Sequence, residues 1–327
     1  MTSSTSARYA CAAIFLLTGC GGGQSAQLAP VQSGGLPTLG FARGAGREDG
    51  HSWMDANAKN GRLLYISDSG TNDVYVYSYG SRTLQGTLTG FNAPQGECVD
   101  AAGDVWITNL QGANIVEYAH GGQSAIATLS DADEFPEGCA VDKMTGALAV
   151  SNLSGTSGPG GVSIWKNAQG SPTAYSIPNI VTPFFLGYDK GGDLFVDGLN
   201  SSGVFQLARL VNGGSKFHGI ALKGASFVFP GGVQWGGTNL AVGDRTGTNG
   251  PVIYQVRIRG NIGTVVGSTP LSGTTAVGQF FIEGPNVVAP DLGGTEVGFW
   301  KYPAGGSATH VITGFATPVG TAVSEAK

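Results

Sequence analysis

The chain has 327 residues, a formal net charge of −5 and only 12% charged side chains. No basic stripe runs along it, which excludes nucleic acid as a partner. Its 56 glycines suit many tight turns, and neither helical spacing nor helix caps occur, so an all-β protein is expected.

At the N-terminus Arg8 precedes an apolar run, Tyr9 to Leu17, too short for a spanning helix and flanked as a signal peptide is. Leu17-Thr18-Gly19-Cys20 then reads as a bacterial lipobox, whose cysteine is lipidated and becomes the first mature residue. Residues 1–19 are therefore expected to be a lipoprotein signal peptide. Residues 20–50, rich in glycine and serine, read as a flexible tether. The expected location is the bacterial cell envelope, with the mature protein extracytoplasmic and held to the membrane by lipid on Cys20.

From 51 to 327 the sequence repeats. Six units of about 45 residues lie between Gly61 and Gly314, each with short apolar strands separated by Gly-rich turns. Their lead-in prolines Pro94, Pro136, Pro183 and Pro230 are spaced by 42, 47 and 47 residues, and Pro318 follows after 88, two units further on. Each unit parses into strands A to D. Strand A follows Pro-x-Gly and ends in an Asp turn at Asp100, Asp142 or Asp189. Strand B is an apolar alternator, strand C carries Tyr77, Tyr118, Trp165 or Trp300, and strand D is the outer edge. The predicted architecture is a six-bladed β-propeller of four-stranded antiparallel blades, expected to be monomeric.

Closure of the ring follows from the ends. Phe315 to Ser324 matches Phe91 to Asp100 in position and spacing, but has no B strand of its own, so it is expected to complete the first blade. Ser52-Trp-Met-Asp55 competes for that slot but lacks a Pro-x-Gly lead-in.

Cys11 leaves with the signal peptide and Cys20 carries lipid, so Cys98 and Cys139 are the one possible disulfide pair of the mature fold. They lie four and three residues after their lead-in prolines. That odd offset turns the side chains to opposite strand faces, which suits a bridge because neighbouring blades present opposite faces to each other. Two buried free thiols are the competing state. A bridge would close a 41-residue loop, worth about 4 kcal/mol by chain entropy.

Pro-x-Gly lead-ins and B-strand ends surround one mouth of the channel. The B strands end in Asp68, Asn109, Asn152, Asp197, Asp244 and Asp291, one polar residue per blade. Such regular recurrence fits Asx turns that cap each B-to-C loop better than it fits a ligand site. Departures from the repeat are the better leads. These are Glu97 and Glu137 beside two lead-ins, the pairs Phe184-Phe185 and Phe280-Phe281 on two A strands, and the Gly-rich B-to-C loops Gly155 to Gly161 and Arg245 to Gly250. The candidate ligand-binding set is Glu97, Glu137, Asn109, Asn152, Asp244, Phe185 and Phe281. No pair of histidines has metal-ligand spacing, and no G-x-S-x-G, phosphate loop or Cys-x-x-Cys occurs.

The pattern Pro-x-Gly-x-x-Val-Asp, apolar alternator, Asp/Asn resembles the NHL-type repeats of six-bladed propellers over roughly Leu63 to Ser324. That resemblance implies the architecture, within a family that includes binding modules, lyases and scaffolds. The gluconolactonases and senescence-marker lactonases share this shape and hold a divalent metal with Glu, Asn and Asp. Glu97 or Glu137, Asn109, Asn152 and Asp244 supply those residue types here.

Three functional expectations follow. The leading one is a membrane-anchored, non-catalytic binding module for an envelope protein or glycan, needing no cofactor. The second is a metal-dependent, lactonase-like hydrolase with Ca or another divalent ion held by Glu97, Asn109, Asn152 and Asp244. The third is a structural envelope protein.

Overall fold

The computed structural model describes residues 50–327 apart from 133, 156 and 157. The signal sequence, Cys20 and nearly all of the tether lie outside the described residues.

Six antiparallel blades follow the chain. Blade 1 combines β2 (Leu63–Asp68), β3 (Asp73–Ser78) and β4 (Leu84–Leu88) with the last strand of the protein, β26 (Pro318–Ser324). Blade 2 holds β5 (Pro94–Val99), β6 (Val105–Asn109), β7 (Asn114–Tyr118) and β8 (Ala125–Ser130). Blade 3 holds β9 (Glu134–Val141), β10 (Leu148–Gly155), β11 (Gly158–Trp165) and β12 (Thr173–Tyr175). Blade 4 holds β13 (Thr182–Tyr188), β14 (Leu194–Leu199), β15 (Phe205–Leu210) and β16 (Phe217–Lys223). Blade 5 holds β17 (Pro230–Trp235), β18 (Leu240–Asp244), β19 (Val252–Arg259) and β20 (Ile262–Ser272). Blade 6 holds β21 (Phe281–Glu283), β22 (Asn286–Pro290), β23 (Glu296–Lys301) and β25 (His310–Thr313). Helical structure among the described residues is confined to three single 3-10 turns, and no helix is long and apolar enough to cross a membrane.

The innermost strands touch in sequence right round the axis, with β26 against β5, β5 against β9, β9 against β13, β13 against β17, β17 against β21 and β21 against β26. The C-terminal strand therefore closes the ring by pairing with β2, Ile66 opposite Thr321. Its competitor takes another place: β1 (Trp53–Met54) pairs with β4 as a fifth strand on the outer edge of blade 1. On the inner side of the same blade His120 bonds to Ser324 Oγ at 2.5 Å and to the Gly61 carbonyl at 2.9 Å, tying blade 2 to the end of β26 and to the lead-in of β2.

Side-chain alternation does not separate core from solvent here. Both faces of the B strands are buried, as in β2 and β18, where every residue is buried. Alternate residues fill the joints on either side of the blade. Six apolar clusters result, one per joint. Tyr65, Val76 and Ile107 fill that between blades 1 and 2. Trp106 and Trp165 fill the next, and Trp300 with Phe280 that between blades 5 and 6. The C-strand aromatics are thus joint fillers.

Two further features break the uniformity of the ring. At their outer rims β16 and β20 pair in parallel, Ala221 opposite Ile262, so blades 4 and 5 form one continuous sheet. The segment Gly155 to Gly161, read as a loop from its glycines, is largely a hairpin, since β10 and β11 pair out to Gly155 opposite Gly158.

A repeated β-bulge shapes the inner strands. In β5, β9, β13, β17 and β26 three residues from the lead-in proline oppose two on strand B, as Pro94 and Glu97 face Asn109 and Ile107. The bulge brings the Pro-x-Gly glycine against the next blade. A Cβ on Gly96 would lie 2.7 Å from the Glu137 carbonyl, and one on Gly138 would lie 2.9 Å from the Phe184 carbonyl. Beyond the bulge, Glu97 turns to blade 1 and Cys98 to blade 3, while Cys139 turns back to blade 2. Cys98 and Cys139 form the inter-blade disulfide, with Cα atoms 5.6 Å apart.

Candidate functional site

Strand B ends deliver the Asx residues to the mouth, and most are committed to the backbone there. Asp68 accepts hydrogen bonds from Gly70 N in its own B-to-C loop and from Ala316 and Thr317 N at the lead-in of β26. Asp291 does the same for Gly293, Thr275 and Ala276. Asp244 binds Gly247 N and, at 2.9 and 3.0 Å, Val228 and Phe229 N. Asn109 accepts from Asn92 N at 2.6 Å and donates to Asn114. Each side chain staples a lead-in to its own B-to-C loop, which extends the expected Asx turn by a second segment.

Blades 3 and 4 depart from this pattern. Asn152 donates to Ser163 Oγ at 3.1 Å, and Ser163 donates to Asp131 at 2.9 Å, with Asn152 also supporting the Asp131 carboxyl. Asp197 is not the blade 4 member of the series: Gly198 stands opposite the lead-in Pro183, and Asp197, one residue earlier and 0% exposed, accepts from Phe185 N at 2.9 Å as Ser151 accepts from Gly138 N in blade 3, with weaker support from the Gly231 amide.

Arg245, the first residue after β18 in the neighbouring blade 5, brings its guanidinium to the same Phe185 whose amide Asp197 accepts. Its Nε donates to the Pro230 carbonyl at 3.1 Å, and its Cζ lies 4.9, 5.2 and 5.9 Å from the ring centroids of Phe229, Phe184 and Phe185. Glu137, on the lead-in of β9, contributes the third charge. The ion pairs among the described residues, Arg62–Glu283 at 3.3 Å and Arg209–Asp193 at 3.4 Å, involve none of these groups. Arg245, Glu137 and Asp197 therefore interact through space without touching. Burial pushes Glu137 up to about 7, opposed by Arg245, and lifts Asp197 well above the usual carboxylate range, opposed by the Phe185 amide and then Arg245. Burial also lowers Arg245, while Glu137 and Asp197 support its charge.

Phe185 closes the channel behind this cluster. It occupies the slot that glycine holds in Pro-x-Gly, so its ring enters the axis instead of leaving room for the next strand. The ring comes within 3.2 Å of a Cβ placed on Gly138 of blade 3 and 3.5 Å of one placed on Gly278, which leads into blade 6 on the opposite side. Phe184 packs edge-on against Phe229 at 5.3 Å in the joint between blades 4 and 5. Phe280 lies in the next joint.

On the far side of Phe185, toward the A-to-B turns, is a cavity of about 310 Å³. Met144, Tyr188, Trp235 and Phe281 border it, as does the Cys98–Cys139 pair. Gln279 crosses the axis there, accepting from Glu97 N at 2.9 Å and Thr321 N at 3.2 Å and donating to the Glu97 carbonyl. It ties blade 6 to blades 1 and 2 where β21 is short.

The seven candidate residues thus fall into separate places. Glu137 and Asp244 stand at the mouth, the latter spent on backbone amides. Asn109 and Asn152 are held by different local partners. Phe185 is the plug and Phe281 borders the cavity beyond it. The Glu97 backbone reaches that cavity, but its carboxyl turns into blade 1, where Ser67 Oγ donates to it at 2.7 Å. Burial raises Glu97 to about 8, with the Ser67 hydroxyl opposing. A group of three half-buried acidic residues gathers at the A-to-B turn of blade 2, Asp100 and Asp104 from the turn and Glu117 from β7.

Sequence reasoning noted Arg245 only as the start of a loop and passed over Asp197 as one of a regular series. A signal was present: aligned by strand register, the residue after the end of strand B is Ser69, Leu110, Leu153, Leu199, Arg245 and Leu292 in the six units, one charge among six.

No protein-family model matches the chain, and no curated protein matches it in sequence. Solved structures do match in fold. That of a nidogen/laminin complex is 15% identical with a TM-score of 0.65, covering 82% of this chain and 100% of that one. A protein of unknown function from Bacteroides caccae is 11% identical with a TM-score of 0.60, covering 81% and 99%. Virginiamycin B lyase from Staphylococcus aureus is 14% identical with a TM-score of 0.53, covering 73% and 76%. At these identities the likeness is one of fold, and the chain is a β-propeller.

Proposed function

We propose that this protein is an extracytoplasmic lipoprotein, anchored through lipid on Cys20, whose NHL-like propeller binds an envelope protein or glycan at the mouth ringed by the Pro-x-Gly lead-ins, without catalysis. The observation that carries this reading is the Arg245–Glu137–Asp197 cluster. It leaves the terminal guanidinium nitrogens of Arg245 and the Glu137 carboxyl without hydrogen bonds among the described residues, at one end of a plugged channel, on a scaffold whose Asp68, Asp244 and Asp291 are spent on structure. A rigid ring presenting unpaired polar groups is suited to recognition. The described histidines stand elsewhere: His51 is exposed ahead of β1, His120 is bonded to Ser324 and Gly61, and His218 and His310 lie on the outer strands β16 and β25.

The test is a binding screen of the full-length protein against purified envelope polysaccharides and envelope protein fractions, repeated with Glu137→Gln and Asp197→Asn and with the cavity variant Trp235→Ala. A ligand that loses about tenfold in affinity with the mouth variants, keeps its affinity with Trp235→Ala and is recovered unchanged supports the reading. Chemical turnover of the ligand, or indifference to the mouth variants, overturns it. Metabolic labelling with a fatty acid, lost in Cys20→Ala, checks the anchor.

A further inference from the structure

We propose that the inner cavity, on the opposite side of Phe185 from the mouth, is a binding site for a small aromatic carboxylate: Tyr188, Trp235 and Phe281 hold the ring, and Lys143 with Lys190 holds the carboxylate.

The wall of the cavity departs from the repeat. Strand A ends opposite the first residue of strand B with Val99 in blade 2 and Val141 in blade 3, but with Tyr188 in blade 4 and Trp235 in blade 5. Phe281 adds a third aromatic from blade 6, and all three are only half-buried. A planar ring laid against them gains apolar burial together with edge and face contacts. At about 310 Å³ the space is at the small end of ligand pockets, and Phe185 closes its inner end, so it suits a compact ring better than a long acyl chain. Met144, 80% exposed in the turn after β9, adds a flexible thioether at the rim that can fold over a bound ring.

The charges at the rim depart from the repeat in the same blades. Lysine follows the turn aspartate in Asp142-Lys143 and Asp189-Lys190, whereas blade 2 has Asp100-Ala101. Both lysines border the cavity from neighbouring blades, and neither enters an ion pair or hydrogen bond among the described residues. The side-chain acceptors beside them are engaged. Asp142 accepts from Met144 N at 3.0 Å and Thr145 Oγ1 at 2.6 Å, and Asp189 from Gly191 N at 2.8 Å and Asp193 N at 3.0 Å. Gln279 is spent across the axis, and Gln234 on the Ile282 backbone, which donates to it at 2.7 Å and accepts from it at 3.1 Å. What the cavity still offers is a set of donors: two ammonium groups, the Trp235 indole N–H and the Tyr188 hydroxyl, which burial keeps protonated. Its complement carries negative charge and acceptors at one end and a ring at the other. A neutral ring would leave the ammonium groups unpaired, a cation would be repelled by them, and a small hydrophilic anion would leave the aromatic wall in water.

Isothermal titration of the full-length protein in phospholipid nanodiscs, with protein-free discs as the blank, tests this with four probes. They are naphthoate, naphthalenemethanol with the ring but no charge, acetate with the charge but no ring, and octanoate with the charge on a chain. Naphthoate is expected to bind with a Kd below about 1 mM, and each of the others roughly tenfold or more weakly. Lys143→Gln combined with Lys190→Gln should weaken naphthoate about tenfold and leave naphthalenemethanol unchanged. A misfolded variant would lose both probes, so a selective loss reports the lysines. Trp235→Ala should weaken both, and Glu137→Gln at the mouth should change neither. Equal binding of naphthoate and naphthalenemethanol, tighter binding of octanoate, indifference to the lysine variant, or no binding of naphthoate up to about 1 mM overturns the inference. Since Trp235→Ala and Glu137→Gln lie on opposite sides of Phe185, the outcome here is read separately from that at the mouth.

Discussion

Replacing Glu97 by glutamine should flatten the pH dependence of stability. Glu97 is 1% exposed, accepts one hydrogen bond from Ser67, and has a second oxygen without a bond of normal geometry. Burial lifts its carboxyl from 4.5 to about 8. Because the folded form holds the proton more tightly than the unfolded chain, the stabilisation is complete below about pH 4.5 and is lost as pH rises toward 8. The loss is about 1.4 kcal/mol per pH unit, on the order of 5 kcal/mol over the whole interval. Glutamine has the same shape and can keep the Ser67 bond, but it has no proton to lose. Any fixed cost of its amide is the same at every pH, so the informative quantity is the stability difference between wild type and Glu97→Gln at pH 5 and at pH 9. Urea unfolding at both pH values should show the variant gaining several kcal/mol relative to wild type on going to pH 9, with unchanged m-values. A difference that is the same at both pH values would refute the reasoning, since Glu97 would then ionise as an exposed carboxylate does.

Reducing the Cys98–Cys139 bridge, or replacing both residues by serine, should cost about 4 kcal/mol through the 41-residue loop it closes, read as a fall in the urea midpoint. Alkylation of unreduced protein should leave both sulfurs unmodified. Gly320→Ala should cost more than about 2 kcal/mol, because its Cβ would collide with the Gln95 carbonyl of the next blade. Gly219→Ala on β16, where a Cβ meets nothing within 4 Å, should be neutral or mildly stabilising by the same denaturation assay. Phe185→Ala should cost roughly 3–5 kcal/mol, and a crystal structure of that variant should show the mouth and the inner cavity joined.

The architecture was legible because the constraints that build it recur. Proline cannot donate to a ladder and glycine alone tolerates the close approach of the next strand, so Pro-x-Gly marks every tight joint it occupies. The cysteine offset was readable because alternation in a strand has only two outcomes. The outer position of β1 was not legible, since two paired residues, Trp53 and Met54, carry no register signal. The hairpin from Gly155 to Gly158 was hidden by glycines that normally mark a loop. The mouth was half visible: Glu137 stood out beside a lead-in, but Asp197 looked like its five counterparts. What separates it is register, since Gly198 takes the place opposite Pro183 and Asp197 turns to the Phe185 amide as Ser151 does to that of Gly138, together with the Arg245 charge contributed by another blade. Repeats show what each blade has in common, while a site assembled from three blades shows only when they are set side by side.

The parallel pairing of β16 with β20 has a mechanical consequence. It makes blades 4 and 5 a single stiff plate, while the disulfide welds blades 2 and 3 into another. The joint between blades 3 and 4 has packed side chains and the Ser151 bond to the Phe184 carbonyl, but neither a covalent link nor a shared sheet. Asp197 and Arg245 ride on one plate and Glu137 on the other. The jaws of the mouth are thus two rigid bodies meeting at a seam, and their aperture is set by how far that seam opens.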